Sequence, residues 1–222
     1  MIRLTFNYFL NKNLHLNNIN SVNNYKLYKI INKNCYIFNL IYIIICLYKL
    51  YKIFYTLSRR KVNITFINIL KFINTSFIKY LLLFSRNNYF SGSWIKGFLT
   101  NNNILKSIFI YCLWSEKIKK FVVNYIDNKL YKYIYRVYKK FKYISKNLKY
   151  LGFSKFIFFF NLNNNKEAVK ECIIKNKFIA GLCNLNYYNN LIDFYMYYNC
   201  MNEVSINTVI EFIIISIINS NK

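Results

Sequence analysis

Residues 156–182 read FIFFFNLNNNKEAVKECIIKNKFIAGL, and this stretch decides the fold. It begins with an apolar run, 156–160, and ends with another, 178–182. Between the two runs, residues 167–175 carry a helical pattern. Strands that are apolar throughout are buried on both faces, which is typical of parallel sheets covered by helices. The sequence therefore predicts an α/β domain built on a parallel sheet.

Further strand and helix patterns lie on both sides of this stretch. The β-branched run 62–67 predicts another buried strand, and residues 192–196 predict a further one. The remaining predicted elements precede the central stretch: a hairpin over 24–41 with arms at 29–31 and 36–38, helices over 42–57 and 72–85, and a glycine-containing loop over 91–97.

Residues 117–149 differ from the rest of the chain in charge. They contain eleven Lys or Arg and one acid, Asp127, and their apolar residues recur at intervals of three and four. This spacing predicts one apolar stripe on a helix or on a pair of helices. Cations interleaved with tyrosines favour a surface that tracks phosphates, although calmodulin-like or anionic-lipid binding uses similar patterning.

The composition points both to the gene and to a partner. Only 4 Gly and no Pro occur in 222 residues, whereas residues with A- and T-rich codons abound. Such a bias does not by itself explain 32 Lys and Arg against 7 Asp and Glu, a formal net charge of +25. No acid precedes Glu116. A compact chain with this charge repels itself, so we expect a polyanion as partner, most commonly nucleic acid.

A loop pattern gives the chain a family resemblance. Residues 88–101 read NYFSGSWIKGFLTN, which resembles the signature F-V-x-x-R-W-L-G-G-x-L-T-N of the small-subunit ribosomal protein S2 family. Five residues of this signature loop match the family pattern: Trp94, Gly97, Leu99, Thr100 and Asn101. Ser93 and Lys96 depart from it. Weaker similarities follow in order over about residues 14–218, at 24–27, 36–40, 59–67, 166–172, 192–194 and 202–207.

The resemblance implies a Rossmann-like (flavodoxin-like) parallel sheet flanked by helices, with an inserted basic helical arm. It divides the chain into three parts: residues 1–101 hold the hairpin and the first part of the α/β domain, residues 102–150 form the inserted basic helical arm, and residues 151–222 complete the domain. It also implies a structural protein of the ribosome that binds small-subunit rRNA and neighbouring ribosomal proteins, with no catalysis, no cofactor and no small-molecule substrate. Together with the codon bias and the absence of a leader pattern in residues 1–6, it favours an organelle-encoded protein. A mitochondrion is favoured over a plastid-type organelle.

The residues of the site are assigned roles accordingly. Trp94 is predicted to anchor the loop by apolar packing, with stacking on a base as the alternative. Gly97 is predicted to supply a special backbone conformation, and Thr100 and Asn101 to cap the next helix. The candidate phosphate contacts are all cations: Arg59, Arg60, Lys61 and Lys96 on the domain, and Lys119, Lys120, Lys132, Arg136, Lys139, Lys140 and Lys142 on the arm.

Other functions find less support in the sequence. A nucleotide enzyme needs a glycine-rich phosphate loop, which 4 Gly in the chain do not form, so we expect no nucleotide at the carboxyl ends of the strands. The six Cys lack metal-ligand spacing, which predicts buried free thiols and no metal site. His15, the single histidine, is assigned local hydrogen bonding.

A small mitochondrial membrane protein is the main alternative. Two apolar runs, Cys35–Tyr48 and Val209–Ile218, attract this interpretation, but both fall short of the roughly 18 to 20 residues that a membrane span requires. We therefore expect no membrane span.

Overall fold

The structure is a computed structural model of the chain. It describes residues 5–18, 28–32, 35–68, 87–91, 94, 96–101, 154–184, 191–200 and 202–221, together with nine single positions between 103 and 136. The described elements, in chain order, are α1 (Phe6–Asn11), β1 (Leu16–Asn18), β2 (Tyr28–Asn32), β3 (Cys35–Phe38), α2 (Leu40–Arg59), β4 (Ile64–Asn68), β5 (Asn88–Ser91), β6 (Phe156–Phe159), a short 3-10 helix (Asn163–Asn165), α3 (Lys166–Ile174), β7 (Phe178–Cys183), β8 (Phe194–Tyr197) and α4 (Glu203–Ser220).

The main sheet is parallel and five-stranded, in the order β5-β4-β6-β7-β8. This is the flavodoxin-like order, in which the second strand lies outside the first and the later strands are added on the other side. The central pairing places Ile64 opposite Phe156 and Phe66 opposite Phe158. The predicted α/β class is confirmed, and the sheet joins strands from before and after the arm.

A second, antiparallel sheet precedes the main one. Its order is β1-β3-β2, and the pairing of Lys29 with Ile37 confirms the predicted hairpin. Neither β1 nor α1 was anticipated. The N-terminal end of α1 is capped by Thr5, whose hydroxyl accepts a hydrogen bond from the backbone N–H of Tyr8 at 3.3 Å.

One predicted loop is in part a strand. We expected residues 88–91 to belong to the signature loop, but β5 occupies them and pairs with β4, Phe66 lying opposite Tyr89. Its ends are Asn88 and Ser91, which have low strand propensity and so hide the strand in the sequence. The predicted helix over 72–85 lies outside the described residues.

The core is built largely from phenylalanine. Phe54 of α2 stacks on Phe66 with ring centroids 5.8 Å apart, and it meets the edges of Phe156 and Phe158. All four side chains are buried. A Cβ on Gly181 would come within 2.7 Å of the carbonyl oxygen of Phe159. This position of β7 therefore requires glycine, because the neighbouring backbone leaves no room for a side chain.

Two of the described helices, α2 and α4, are longer than the apolar runs predicted. α2 has 20 residues and α4 has 18, so by length and composition alone both could cross a membrane. Counting apolar runs underestimated them, because α2 continues through Lys49 and Lys52, which point to solvent. Each helix begins at an asparagine cap, Asn39 or Asn202. The two helices pack on each other, and each contributes buried residues to the core.

Three helices end in the same motif without glycine. The residue after each C-cap has a positive φ: Asn13 after α1 (+53°), Lys61 after α2 (+55°) and Asn176 after α3 (+48°). After α2, the N–H of Lys61 donates to the carbonyl of Ser58, and the N–H of Val62 to that of Leu57. This is the Schellman arrangement, in which glycine is the usual left-handed residue.

Candidate functional site

The signature loop leaves the carboxyl end of β5 and folds around an aromatic cluster. The half-buried Trp94 ring lies 5.5 Å from Phe90 and 5.3 Å from Phe98, between ring centroids. Gly97 has φ +84°, in the left-handed region that favours glycine. The N–H of Asn101 donates to the carbonyl oxygen of Gly97 at 2.9 Å and closes the turn.

A buried carboxylate holds this loop from the neighbouring helix. Oε1 of Glu171 on α3 accepts hydrogen bonds from the indole N–H of Trp94 at 3.1 Å and from the backbone N–H of Gly97 at 2.8 Å. Oε2 accepts from the N–H of Leu99 at 2.8 Å. Only 8% of Glu171 is exposed, and a buried charge is tolerated only when it is well hydrogen-bonded. Glu171 therefore fixes both the backbone and the tryptophan of the loop.

The outer side of the same loop carries an exposed ion pair. Nζ of Lys96 lies 2.9 Å from Oε1 of Glu167, one turn before Glu171 on α3, and both side chains are more than half exposed. Exposed pairs of this kind contribute little to stability. The Lys96 ammonium therefore lies beside Glu167 in a weak ion pair, which another anion can replace.

The three cations predicted after the second helix lie together at its C-terminal end. Arg59 is the last residue of α2, Arg60 is its C-cap, and Lys61 is the left-handed residue of the turn. All three are exposed. The turn leads into β4, so it lies at the amino edge of the main sheet, whereas the signature loop leaves the carboxyl end of a strand. The structure thus places these cations and Lys96 in different parts of the domain.

The described positions of the arm are helical and exposed. Among the predicted contacts, Lys132 and Arg136 are exposed residues on this helical part, and Tyr133 and Tyr135 between them are exposed as well. The other five predicted arm cations, Lys119, Lys120, Lys139, Lys140 and Lys142, lie outside the described residues. The capping role predicted for Thr100 and Asn101 stays a prediction, because residue 102 also lies outside them.

A buried aromatic residue follows β6 at the carboxyl end of the sheet. In open α/β sheets, ligands bind where the strand order reverses, which here is between the carboxyl ends of β4 and β6. The backbone N–H of Phe160 donates to the carbonyl of Ile67 at this point, and its ring stacks on Phe66 at 6.0 Å. Phe160 is fully buried. The backbone of β4 and β6 is thus still paired at Phe160, and its side chain belongs to the core.

Four cysteines are buried free thiols, as the sequence predicted: Cys46, Cys172, Cys183 and Cys200. Burial raises the pKa of each of them, and that of Cys172 reaches about 12. Thiols with such pKa values stay protonated at neutral pH, a state that neither attacks electrophiles nor binds metal. Among the residues that the structure describes, no group of His, Cys, Asp and Glu is arranged for a metal ion.

Glu171 is the functional residue that sequence reasoning missed. The sequence placed it in a helix that resembles the family, but gave it no role. A signal was present, because Glu167 and Glu171 are two of only 7 acids in the chain and are spaced one helical turn apart. Helix α3 buries Ala168 and Cys172 beside it, so the spacing of the buried face also includes Glu171.

These features define an α/β protein of flavodoxin-like topology whose signature loop is tied to a buried glutamate. The family model described as ribosomal protein S2 matches residues 9–220, and the chain belongs to this family. It is therefore a ribosomal protein of the small-subunit type, from a family whose members are structural and generally not enzymes. No curated protein matches the sequence significantly.

Proposed function

We propose that this chain is a structural constituent of the small subunit of an organellar ribosome, and that the organelle is a mitochondrion rather than a plastid. It binds small-subunit rRNA and neighbouring ribosomal proteins and so supports translation. The family match over residues 9–220 is the observation that carries this proposal. The codon bias of the composition supports the organellar origin, and the formal net charge of +25 supports a polyanionic partner.

The two groups of domain cations and the arm supply the proposed RNA contacts. The Arg59–Lys61 turn presents three exposed cations, and Lys132 and Arg136 present two more on the arm. Lys96 exchanges its exposed partner Glu167 for a phosphate, because an exposed ion pair is weak enough to be replaced. Phosphate contacts position a protein on RNA without reading its sequence.

Co-sedimentation tests this assignment. Lysed mitochondria and, where present, plastids are fractionated separately on sucrose gradients, and the chain is located by mass spectrometry. We expect it in the small-subunit fraction of one organelle, and we expect ultraviolet crosslinks to small-subunit rRNA at the named cations. A chain that stays at the top of the gradient in every organelle would exclude the ribosomal assignment.

A membrane protein is the second candidate, because α2 and α4 are long and apolar enough to span a bilayer. Their packing on each other and on the core favours the ribosomal proposal. Carbonate extraction separates the two. After ribosomes are dissociated, a peripheral ribosomal protein is released into the supernatant, whereas an integral protein stays in the pellet.

A further inference from the structure

An apolar groove lies between α1, α2 and α4, away from the signature loop. It has a volume of about 1020 Å³ and is lined mainly by large apolar side chains, among them Phe6, Ile41, Ile45, Tyr48 and Ile215. Phe9 of α1 stacks on Phe212 of α4 with ring centroids 6.4 Å apart, and both side chains line the groove. Neither the proposed RNA contacts nor the signature loop use this groove.

The wall formed by α2 is an exposed apolar stripe. Ile41 is 59% exposed, Ile45 is 49% exposed and Tyr48 is 57% exposed. Their spacing of four and three places them on one side of the helix over two turns, a length of about 10 Å. Phe6 on the facing wall is 56% exposed. Contiguous exposed apolar side chains of this size mark an interaction surface.

Two ammonium groups lie beside the groove, and one carboxylate lines it. Nζ of Lys12 lies 5.8 Å from the ring centroid of Tyr8, and Nζ of Lys52 lies 4.6 Å from that of Tyr48. Both rings line the groove. The carboxylate that lines it belongs to Glu211, and its Oε2 accepts a hydrogen bond from the hydroxyl of Tyr8 at 3.3 Å. An occupant therefore meets apolar walls with ammonium groups at the rim.

We propose that this groove binds an amphipathic α-helix with an apolar face and acidic flanks, supplied by a neighbouring protein of the small subunit. The assignment to the subunit rests on the proposed function, whereas the chemistry of the helix rests on the groove. A helix lays its apolar face into a trough of this kind, and acidic flanks pair with the lysines at the rim. A flat bilayer surface fits a concave trough less well, and an RNA helix presents its charged backbone rather than an apolar face.

Peptide binding to the full-length chain tests the chemistry. The probe is a fluorescein-labelled, stapled helical peptide with Leu on one face and Glu on both flanks, measured by anisotropy at a salt concentration that suppresses non-specific attraction. A second peptide has the same composition with its Leu residues scattered around the helix, and a third carries Lys flanks. We expect the first to bind at least about tenfold more tightly than either control. Equal binding of the scattered peptide would overturn the proposal.

Two matched variants locate the binding site. Ile45→Glu introduces a charge into the exposed stripe, and Thr56→Glu introduces the same charge at an exposed position of α2 beyond the groove. We expect Ile45→Glu to weaken peptide binding by at least about tenfold and Thr56→Glu to change it less than twofold. Because both positions are exposed, we expect both variants to remain folded, and circular dichroism checks this. Equal affinities for the two variants would refute a site in the groove.

The alternatives give distinct results. If vesicles of phosphatidylcholine and phosphatidylglycerol bind the chain through Ile45 while the acidic peptide does not bind, the groove is a membrane contact and the proposal is wrong. A chain that binds the peptide but does not sediment with ribosomes keeps the groove assignment and loses the ribosomal one. A chain that sediments with ribosomes but binds no peptide shows the reverse.

Discussion

The signature loop and the Arg59–Lys61 turn are built on opposite principles. In the loop, the side chain of Trp94 and two backbone N–H groups are directed inward to the carboxylate of Glu171. In the turn, backbone hydrogen bonds alone fix the chain, and the three cationic side chains are exposed. The signature residues Trp94 and Gly97 thus stabilise the loop, whereas the proposed RNA contacts are exposed side chains that contribute little to the stability of the fold.

This difference teaches that a signature motif and a binding surface need not coincide. The loop brings one cation, Lys96, to the surface, and this cation is paired with Glu167 on the helix that also carries Glu171. Glu167 and Glu171 therefore provide a matched pair of carboxylates, one exposed and one buried. Substitutions should affect stability at one set of positions and RNA binding at the other.

The largest expected effect concerns the two glutamates. Glu171→Ala leaves three N–H donors without their charged acceptor, so we expect the free energy of unfolding to fall by about 3 kcal/mol or more. Glu167→Ala removes only an exposed ion pair and should cost less than about 1 kcal/mol. Urea denaturation followed by tryptophan fluorescence measures both. Equal losses would mean that the loop is not held by Glu171.

The second prediction concerns the arm. Changing Arg136, Lys139, Lys140 and Lys142 together to Gln should lower the magnitude of the log–log salt slope of rRNA binding by about three units, if all four contact phosphates. Between 50 and 200 mM salt this corresponds to about a 60-fold smaller change in affinity. Filter binding on one small-subunit rRNA fragment measures the slope.

The arm variant has an internal control. The predicted stripe residues Ile134, Val137, Phe141 and Ile144 are untouched, so the unfolding free energy should stay within about 0.5 kcal/mol of the original. An unchanged salt slope would instead indicate that the arm packs on a neighbouring protein.

The third prediction concerns the turn. Changing Arg59, Arg60 and Lys61 together to Gln should lower the salt slope by about 2 to 2.7 units, since each lost phosphate contact removes 0.7 to 0.9. Glu171→Gln, measured on the same fragment under conditions where it remains folded, should leave the slope unaltered. A slope that responds to Glu171 and not to the turn would reverse the comparison between the two regions.

The smallest expected effect separates the backbone of the turn from its charge. Lys61 has φ +55°, which costs a residue with a Cβ about 1 kcal/mol relative to glycine. Lys61→Gly should therefore stabilise the domain by up to about 1 kcal/mol and weaken RNA binding slightly, by the loss of one cation. Thermal unfolding and filter binding measure the two changes. A loss of stability would mean that the Lys61 side chain supports the domain.

The sequence was most informative where the pattern was continuous. The apolar run 156–160 and the helix pattern that follows it predicted β6 and α3 within a few residues, because buried parallel strands are apolar throughout. β5 escaped prediction because polar residues at its two ends resemble a loop, and only pairing with β4 makes it a strand. The length of α2 was underestimated because the exposed Lys49 and Lys52 interrupt the apolar run without ending the helix, and that of α4 because its first turns contain polar residues.

The site was predictable only in part. Trp94 and Gly97 were found from the motif, and in the structure both donate hydrogen bonds to Oε1 of Glu171. Glu171 itself was assigned no role, since the spacing of the two acids on α3 does not reveal partners that lie 72 to 77 positions away in the sequence. The exposed cations were identified as candidates, but a charge pattern does not state which of them meets a phosphate.

The left-handed residues that end α1, α2 and α3 show where this fold can replace glycine by another residue. At Asn13, Lys61 and Asn176 the requirement is a torsion angle, and a longer side chain meets it at a tolerable cost because the Schellman hydrogen bonds remain. At Gly181 the requirement is empty space beside a carbonyl 2.7 Å away. Every residue other than glycine would place a Cβ in this space. A bias against glycine codons is thus tolerated more readily at the helix ends of this fold than at its closest backbone contacts.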